Sequence, residues 1–271
     1  MLFSRAVTRS ADSVAEPGGE PGDVRRGVLR SEVLLVLGVS LGSSAVFAVL
    51  SLIGTLTAAV PLSQSRATLN RSYAPGRPTL DLALQLASIG FGIVPALLAV
   101  HLLGRSGIRA AAIGLDARQP RRDLLHGVLL AAVIGIPGLL LYLAAYGLGV
   151  SATVVPSGLP SVWWRIPVLV LSAAMNAVLE EVVVVGYLLT RLEQLGWRRG
   201  RALLASAALR GTYHLYQGFG AFLGNAAMGL VFGGWFRRTR RVMPLVVAHA
   251  LLDVVAFVGY AALNGRVSWL P

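Results

Sequence analysis

Long apolar stretches separated by short arginine-rich segments run along most of the chain. Each stretch is close to the ~20 residues that a helix needs to cross a bilayer. Hydropathy predicts seven spans, at approximately residues 33–61, 80–103, 124–149, 162–190, 202–217, 220–236 and 242–263. The pattern therefore predicts an all-α fold, a polytopic transmembrane helical bundle with about seven spans.

The composition agrees with a membrane environment. Hydrophobic residues make up 55% of the chain and charged residues 13%, and the mean hydropathy is +0.70. A soluble domain usually carries about 25% charged residues, so this chain has too few to cover a water-soluble body. Because the sequence contains no cysteine, disulfides, a thiol nucleophile and cysteine-ligated metals are excluded.

The basic residues determine the expected partners and location. The net charge is +12, and all 24 basic residues are arginines. A basic chain can bind nucleic acid, but these arginines lie in short loops between spans, so we expect the lipid bilayer and no nucleic acid as partner. Arginine without lysine in a chain rich in Ala, Gly and Val is typical of a GC-rich bacterium, so we expect a multi-pass protein of the bacterial inner membrane.

The loop arginines also predict the orientation. Clusters within 25–30, 105–122, 198–201 and 237–241 all fall on one side of the membrane if the N-terminus is cytoplasmic. The loop 62–79, which carries three arginines, is the exception. We expect a cytoplasmic N-terminus and an external C-terminus.

Five ionisable residues interrupt the later spans. Glu180 and Glu181 lie in MNAVLEEVVVVGYLL, His214 in ALRGTYHLYQG, and His249 and Asp253 in VVAHALLDVVAF. A charge at bilayer depth costs at least ~2.5–3.5 kcal/mol and therefore needs a reason. Adjacent helical residues diverge by ~100°, so one glutamate can face a central cavity while the other meets a neighbouring helix. His249 and Asp253, four apart, share a helix face.

Several interpretations fit these residues singly. A glutamate pair is compatible with a proton relay or ion site of a transporter, and His249 with Asp253 with a simple intrahelical hydrogen bond. Together, however, the residues converge only if the bundle has a polar centre. That set suits activation of a water by a carboxylate, with imidazoles stabilising an oxyanion.

The order of these motifs resembles the CPBP (CAAX protease / bacteriocin-processing, Abi) family of intramembrane proteases, Rce1-like. Three segments within residues 110–260 carry the resemblance: GLDARQPRRDLLHGVLLA is similar to the lead-in to the family's core, EEVVVVGYLLTRL to its Glu-Glu-x-x-x-Arg-Gly-Tyr-Leu segment, and RRVMPLVVAHALLD to its closing His-x-x-x-Asn stretch. The resemblance implies a CPBP-like catalytic core at 124–264. N-terminal membrane spans at 32–123 precede it, after a polar, Gly- and Pro-rich segment at 1–31 that we expect to be a disordered cytoplasmic tail.

The resemblance also implies roles for the site residues. Glu180 is the base that activates water, and Glu181 is its structural or proton-sharing partner. His214 and His249 orient the water or stabilise the tetrahedral intermediate, and Asp253 stands where the family usually has Asn. Members are often named metalloproteases, but His-Glu-x-x-His is absent here. We expect no cofactor; the alternative is a divalent metal such as zinc on Glu180, His214 and His249.

Two positions depart from the family pattern. The Arg expected four residues after the second Glu is Val185, and the Phe of Phe-x-x-x-His is Arg210. We hypothesise that Arg210 replaces the missing cation as structural partner of Glu181; the alternative is that Arg210 snorkels to the interface.

Three functions follow from these observations. The first is an intramembrane endopeptidase that hydrolyses a membrane-associated polypeptide through a glutamate-activated water. The second is a catalytically inert CPBP-like scaffold or immunity protein, which Val185 and Arg210 favour. The third is a proton-coupled transporter, against which stands the absence of an obvious inverted repeat.

Overall fold

The computed structural model describes residues 21–58, 61–263 and 266, and most of these residues are helical. Residues 1–20 of the predicted tail lie outside the described residues, and the first helix begins at Pro21, inside the segment predicted as tail. The helices are α1 (Pro21–Gly38), α2 (Leu41–Thr57), α3 (Pro78–Gly92), α4 (Val94–Arg105), α5 (Pro120–Gly147), α6 (Arg165–Glu180), α7 (Leu188–Gln194), α8 (Arg199–Thr212), α9 (Phe219–Thr239) and α10 (Met243–Leu263). A π-helical segment, Glu181–Tyr187, joins α6 to α7.

The described helices confirm an all-α polytopic bundle but not seven spans. Five are long and apolar enough to cross a membrane, namely Pro78–Arg105, Pro120–Gly147, Arg165–Gln194, Phe219–Thr239 and Met243–Leu263. The bent pair α1 and α2 gives a sixth if it is counted as one span.

Two predicted spans account for the difference. The span predicted at 33–61 bends by 53° between α1 and α2, in a Gly- and Ser-rich stretch where the Ser40 hydroxyl donates to the Val36 carbonyl at 2.5 Å. The span predicted at 202–217 is α8, which has 14 residues. At 1.5 Å per residue a helix of that length covers about 21 Å, short of the ~30 Å hydrocarbon core.

The structure adds a small sheet that the hydropathy pattern did not predict. Strands β1 (Arg66–Arg71) and β2 (Thr153–Gly158) pair in parallel, with Arg66 opposite Thr153 and Arg71 opposite Gly158. Both strands come from loops at the same end of the bundle. The loop whose arginines disagreed with the predicted orientation therefore belongs to this sheet.

The continuous helix Arg165–Gln194 is the central element, and 61% of its most apolar stretch of 18 residues is buried. Helix α10 packs against α6. The two run antiparallel, since Arg165 near the start of α6 donates to the Ala261 carbonyl near the end of α10 at 3.3 Å. Helices α8 and α9 form a close pair, in which a Cβ at Gly229 would lie 2.9 Å from the Ala207 Cα. Small residues permit this approach.

An ion-pair network attaches α1 to the central helix. Arg191 is fully buried and pairs with Glu32 at 2.5 Å. The guanidinium also donates to the Leu102 carbonyl at 2.8 Å and to the Ser106 hydroxyl at 3.0 Å, and the Tyr187 hydroxyl donates to Glu32 at 3.0 Å. The network therefore joins α1, α4 and α7.

A second ion-pair cluster lies where two loops meet the first turn of α5. Arg241, between α9 and α10, contacts Asp123 at 2.6 Å and Asp116 at 3.2 Å. The Arg118 backbone amide donates to Asp116 at 2.9 Å, and this hydrogen bond, with a smaller effect from Arg241, lowers the pKa of Asp116. The hydrogen bonds that Arg241 donates to Asp123 and to Asp116 raise the pKa of Arg241. This cluster connects the segment before α5 to the start of α10.

Candidate active site

The π-helical segment Glu181–Tyr187 begins directly after Glu180 and is buried throughout. It contains four successive valines, whose β-branched side chains lower α-helix propensity. The Ser206 hydroxyl of α8 donates to the Val184 carbonyl at 2.8 Å, which gives a partner to a carbonyl of this segment. π-Helical turns occur frequently at functional sites, and this one begins at the second of the two glutamates.

A cavity of about 740 Å³ lies beside the two glutamates and extends to the β1–β2 sheet. Its wall includes Leu69 and Asn70 of β1 at one end. The predicted site residues that line it are Glu180, His214, His249 and Asp253. Glu181 and Arg210 are not among the lining residues.

Glu180 meets the cavity and is held from one side. The Tyr213 hydroxyl donates to Glu180 Oε2 at 2.7 Å, and Arg210 Nη2 lies 3.7 Å from the same oxygen. Both contacts are made to Oε2, so neither of them engages the other carboxylate oxygen, Oε1.

Glu181 is fully enclosed and has two partners on one oxygen. Arg210 Nη2 and His249 Nδ1 both donate to Glu181 Oε1, the latter at 2.7 Å. Arg210 is itself 0% exposed, and its guanidinium carbon lies 5.5 Å from the centre of the Phe232 ring. The contact hypothesised between Arg210 and Glu181 is therefore present, and the alternative of a snorkelling Arg210 is wrong.

The two histidines are fixed through Nδ1. His214 Nδ1 lies 3.0 Å from the Arg210 carbonyl oxygen. Because a carbonyl only accepts, Nδ1 carries the proton, and in the neutral ring Nε2 is then an acceptor. His249 donates Nδ1 to Glu181, and its Nε2 lies 3.8 Å from Asp253 Oδ1.

Sequence reasoning missed two polar contacts of the site. The Tyr213 hydroxyl donates to Glu180. Asn176 lines the cavity, and its Nδ2 donates to Asp253 Oδ2 at 3.4 Å. The available signals were the position of Asn176 one helical turn before Glu180 and that of Tyr213 next to His214. Tyr187, in contrast, belongs to the Glu32 network.

The residues do not fit a metal centre. Within residues 21–58 and 61–263, no group of three His, Cys, Asp or Glu side chains could hold a metal ion. The alternative zinc site on Glu180, His214 and His249 is therefore not formed. The Arg210 cation next to Glu180 also disfavours a second cation there.

The fold and the site define a multi-pass membrane protein with an ionisable centre inside its helical bundle. Residues 162–255 match the model of a family described as type II CAAX prenyl endopeptidase Rce1-like, and this segment is an Rce1-like domain. The family is one of CAAX-type intramembrane proteases, so the resemblance inferred from the motifs is confirmed. The match includes every candidate site residue but begins after the lead-in segment. No curated protein and no solved structure is significantly similar to the chain.

Proposed function

We propose that this chain is an intramembrane endopeptidase that hydrolyses a peptide bond of a membrane-embedded or membrane-associated polypeptide. The observation that carries the proposal is the division between the two glutamates. Glu180 meets a cavity inside the bundle, whereas Glu181 is sealed between Arg210 and His249. One carboxylate is thus available to a substrate and the other is committed to structure.

In the proposed reaction, Glu180 removes a proton from a water molecule in the cavity. The oxygen of that water forms a bond to the carbonyl carbon of the scissile peptide, and the carbonyl oxygen becomes an oxyanion. The oxyanion then re-forms the carbonyl, the carbon–nitrogen bond breaks and Glu180 returns the proton to the leaving nitrogen, which gives a carboxylic acid and an amine. General-base catalysis of this kind contributes typically 10²–10⁴-fold.

The histidines have separate tasks in this mechanism. Neutral His214 carries its proton on Nδ1, so its Nε2 accepts a hydrogen bond from the water and orients it. His249, held by Glu181, stabilises the tetrahedral intermediate. Glu181 and Arg210 act as positioning residues. Glu181 holds Nδ1 of His249, and Arg210 together with Tyr213 contacts Oε2 of Glu180.

We propose further that the protein lies in a bacterial inner membrane with its N-terminus in the cytoplasm. The arginine clusters in the loops support this orientation. The N-terminal spans within 32–123 would then enclose the catalytic core at 124–264, and the substrate would reach the cavity from the lipid phase or along the sheet.

The proposal is tested with detergent-purified protein and a quenched apolar peptide library. Wild type should cleave library members, while Glu180→Ala and His214→Ala should lose activity. Asn225→Ala is the matched control, because Asn225 also lines the cavity but donates only to the Ala221 carbonyl of its own helix, at 3.0 Å. Equal turnover in all four proteins would remove the assignment.

The second candidate function, a catalytically inert scaffold, was favoured by the two departures from the family pattern, Val185 and Arg210. The buried pair of Arg210 and Glu181 supplies the cation that Val185 does not, so these positions no longer count against activity. A scaffold would keep its cellular phenotype in Glu180→Ala, whereas a protease would lose it.

A further inference from the structure

The ionisable centre contains more negative than positive charge. Its carboxylates are Glu180, Glu181 and Asp253, and Arg210 is the guanidinium in contact with the two glutamates. One protonated histidine still leaves one carboxylate charge unmatched. In the proposed reaction His214 acts in its neutral form, so this excess persists in the working site. An unmatched charge in an apolar interior is costly and favours a cationic partner.

Asp253 is the carboxylate of the three with the least compensation. Its side chain is 21% exposed, against 12% for Glu180 and 0% for Glu181, so it is the carboxylate most open to the cavity. Its contacts are also the weakest of the three: the neutral Asn176 amide at 3.4 Å and His249 Nε2 at 3.8 Å.

The contacts between α6 and α10 show where Asp253 lies relative to the base. Glu181 meets His249, Asn176 meets Asp253, and Arg165 meets Ala261, which are successive levels of one antiparallel helix pair. Asp253 is therefore one helical turn, about 6 Å, farther along the cavity than His249. An extended polypeptide covers ~3.3–3.6 Å per residue. If the bond to be cleaved is held between Glu180 and His249, 6 Å corresponds to about two substrate residues from that bond.

We propose that Asp253 is a specificity residue that binds a cationic side chain, lysine or arginine, within two residues of the scissile bond. The position is defined relative to a cleaved bond and so rests on the proposed function. Binding of the cationic side chain itself does not require cleavage. The family pattern that this chain resembles has Asn at the position, which offers no charge. The substrate class of this protein is accordingly an apolar membrane-associated polypeptide with one basic residue beside the cleaved bond.

The test uses N-acylated apolar peptides that differ at one position, lysine or norleucine, scanned over the residues around the cleaved bond. Wild type should prefer lysine by about tenfold in kcat/KM at one position within two residues of that bond, as expected for a desolvated charge pair. Asp253→Asn should bring this ratio close to one. Glu193→Gln, which removes a negative charge from the surface pair with Arg240, is the matched control and should keep the preference.

A binding measurement separates this inference from the proposed function. Fluorescence anisotropy with labelled lysine and norleucine peptides is recorded on His214→Ala protein, which keeps all three carboxylates, with and without Asp253→Asn. A lysine preference that depends on Asp253, without cleavage by wild type, supports the inference and removes the protease. Equal affinities for the two peptides in the His214→Ala protein, including no detectable binding of either, overturn the inference even if Asp253→Asn does not fold. A preference that survives Asp253→Asn overturns it as well.

Discussion

Arg210 on α8 donates to Glu181 in the π-helical segment, and neither side chain is exposed to solvent. Val185, four residues after Glu181, is also fully buried and offers no charge. The cation that the family pattern provides from the same helix thus comes from a neighbouring helix in this chain. The contact joins two elements of the core and also orients His249 through Glu181.

The buried pair should be strongly coupled. We expect Arg210→Ala and Glu181→Ala each to lower the free energy of unfolding by ~3–5 kcal/mol, because each leaves an unpaired buried charge. The double substitution should cost little more than either single one. Thermal and denaturant unfolding in detergent gives the three values, and additive losses would show that the two residues act independently.

An exposed ion pair provides the control for this cycle. Arg240 and Glu193 contact each other at 2.7 Å, but their side chains are 45% and 25% exposed. Removing either of them should change stability by only ~0–1 kcal/mol, since solvent screens the pair.

Moving the cation back to the central helix should restore part of the stability. We expect Arg210→Phe to leave Glu181 unpaired and Val185→Arg to place a second cation beside Arg210, so that each lowers the midpoint of thermal unfolding. The protein with both changes should be more stable than either single variant, because one cation again faces Glu181. A double variant less stable than both would contradict the exchange of positions.

The attachment of α1 depends on Glu32. Glu32→Ala leaves the buried Arg191 guanidinium without its carboxylate and the Tyr187 hydroxyl without its acceptor. We expect a loss of ~1–3 kcal/mol, the usual cost of removing a partner from a charged hydrogen bond, and faster protease cleavage of α1 in limited proteolysis. Glu32→Gln should lose less because it keeps an acceptor for Tyr187. Unchanged stability and proteolysis in Glu32→Ala would mean that the network does not hold α1.

The loop cluster predicts an acid-sensitive contribution to stability. The pKa of Asp116 in the folded protein is below its usual value, whereas its pKa in the unfolded chain is near 3.9. The unfolded chain therefore binds a proton at a higher pH than the folded protein does. The contribution of this carboxylate is therefore complete above about pH 4 and is lost as the pH falls towards the lower folded pKa. Unfolding measured from pH 7 downwards should show a shallower acid loss in Asp116→Asn than in wild type. Identical profiles would contradict this.

Much of the site followed from helix geometry and residue type. The 100° divergence of adjacent residues predicted that Glu180 and Glu181 would have different environments, and the spacing of His249 and Asp253 predicted a shared face. The pairing of Arg210 with Glu181 was hypothesised from two departures from the family pattern, Val185 and Arg210. These inferences held because apolar spans leave buried charges few alternatives.

Other features depend on contacts between distant residues. The parallel pairing of 66–71 with 153–158 joins two loops far apart in sequence, and neither loop has a strong local pattern. The span that hydropathy predicted at 202–217 is not confirmed, since α8 has 14 residues and Arg199 and Arg201 stand at its start. The role of Tyr213 required the position of Glu180 on another helix, which residue type alone did not give.

The most direct test of the account compares Glu180→Gln with wild type on one membrane-anchored polypeptide in liposomes. The amide keeps the size of the side chain and an acceptor for Tyr213 but does not take a proton from water. We expect kcat to fall by ~10²–10⁴-fold with an unchanged midpoint of thermal unfolding, while Asn225→Ala retains the wild-type rate. Turnover by Glu180→Gln at the wild-type rate would contradict the claim that Glu180 activates the attacking water.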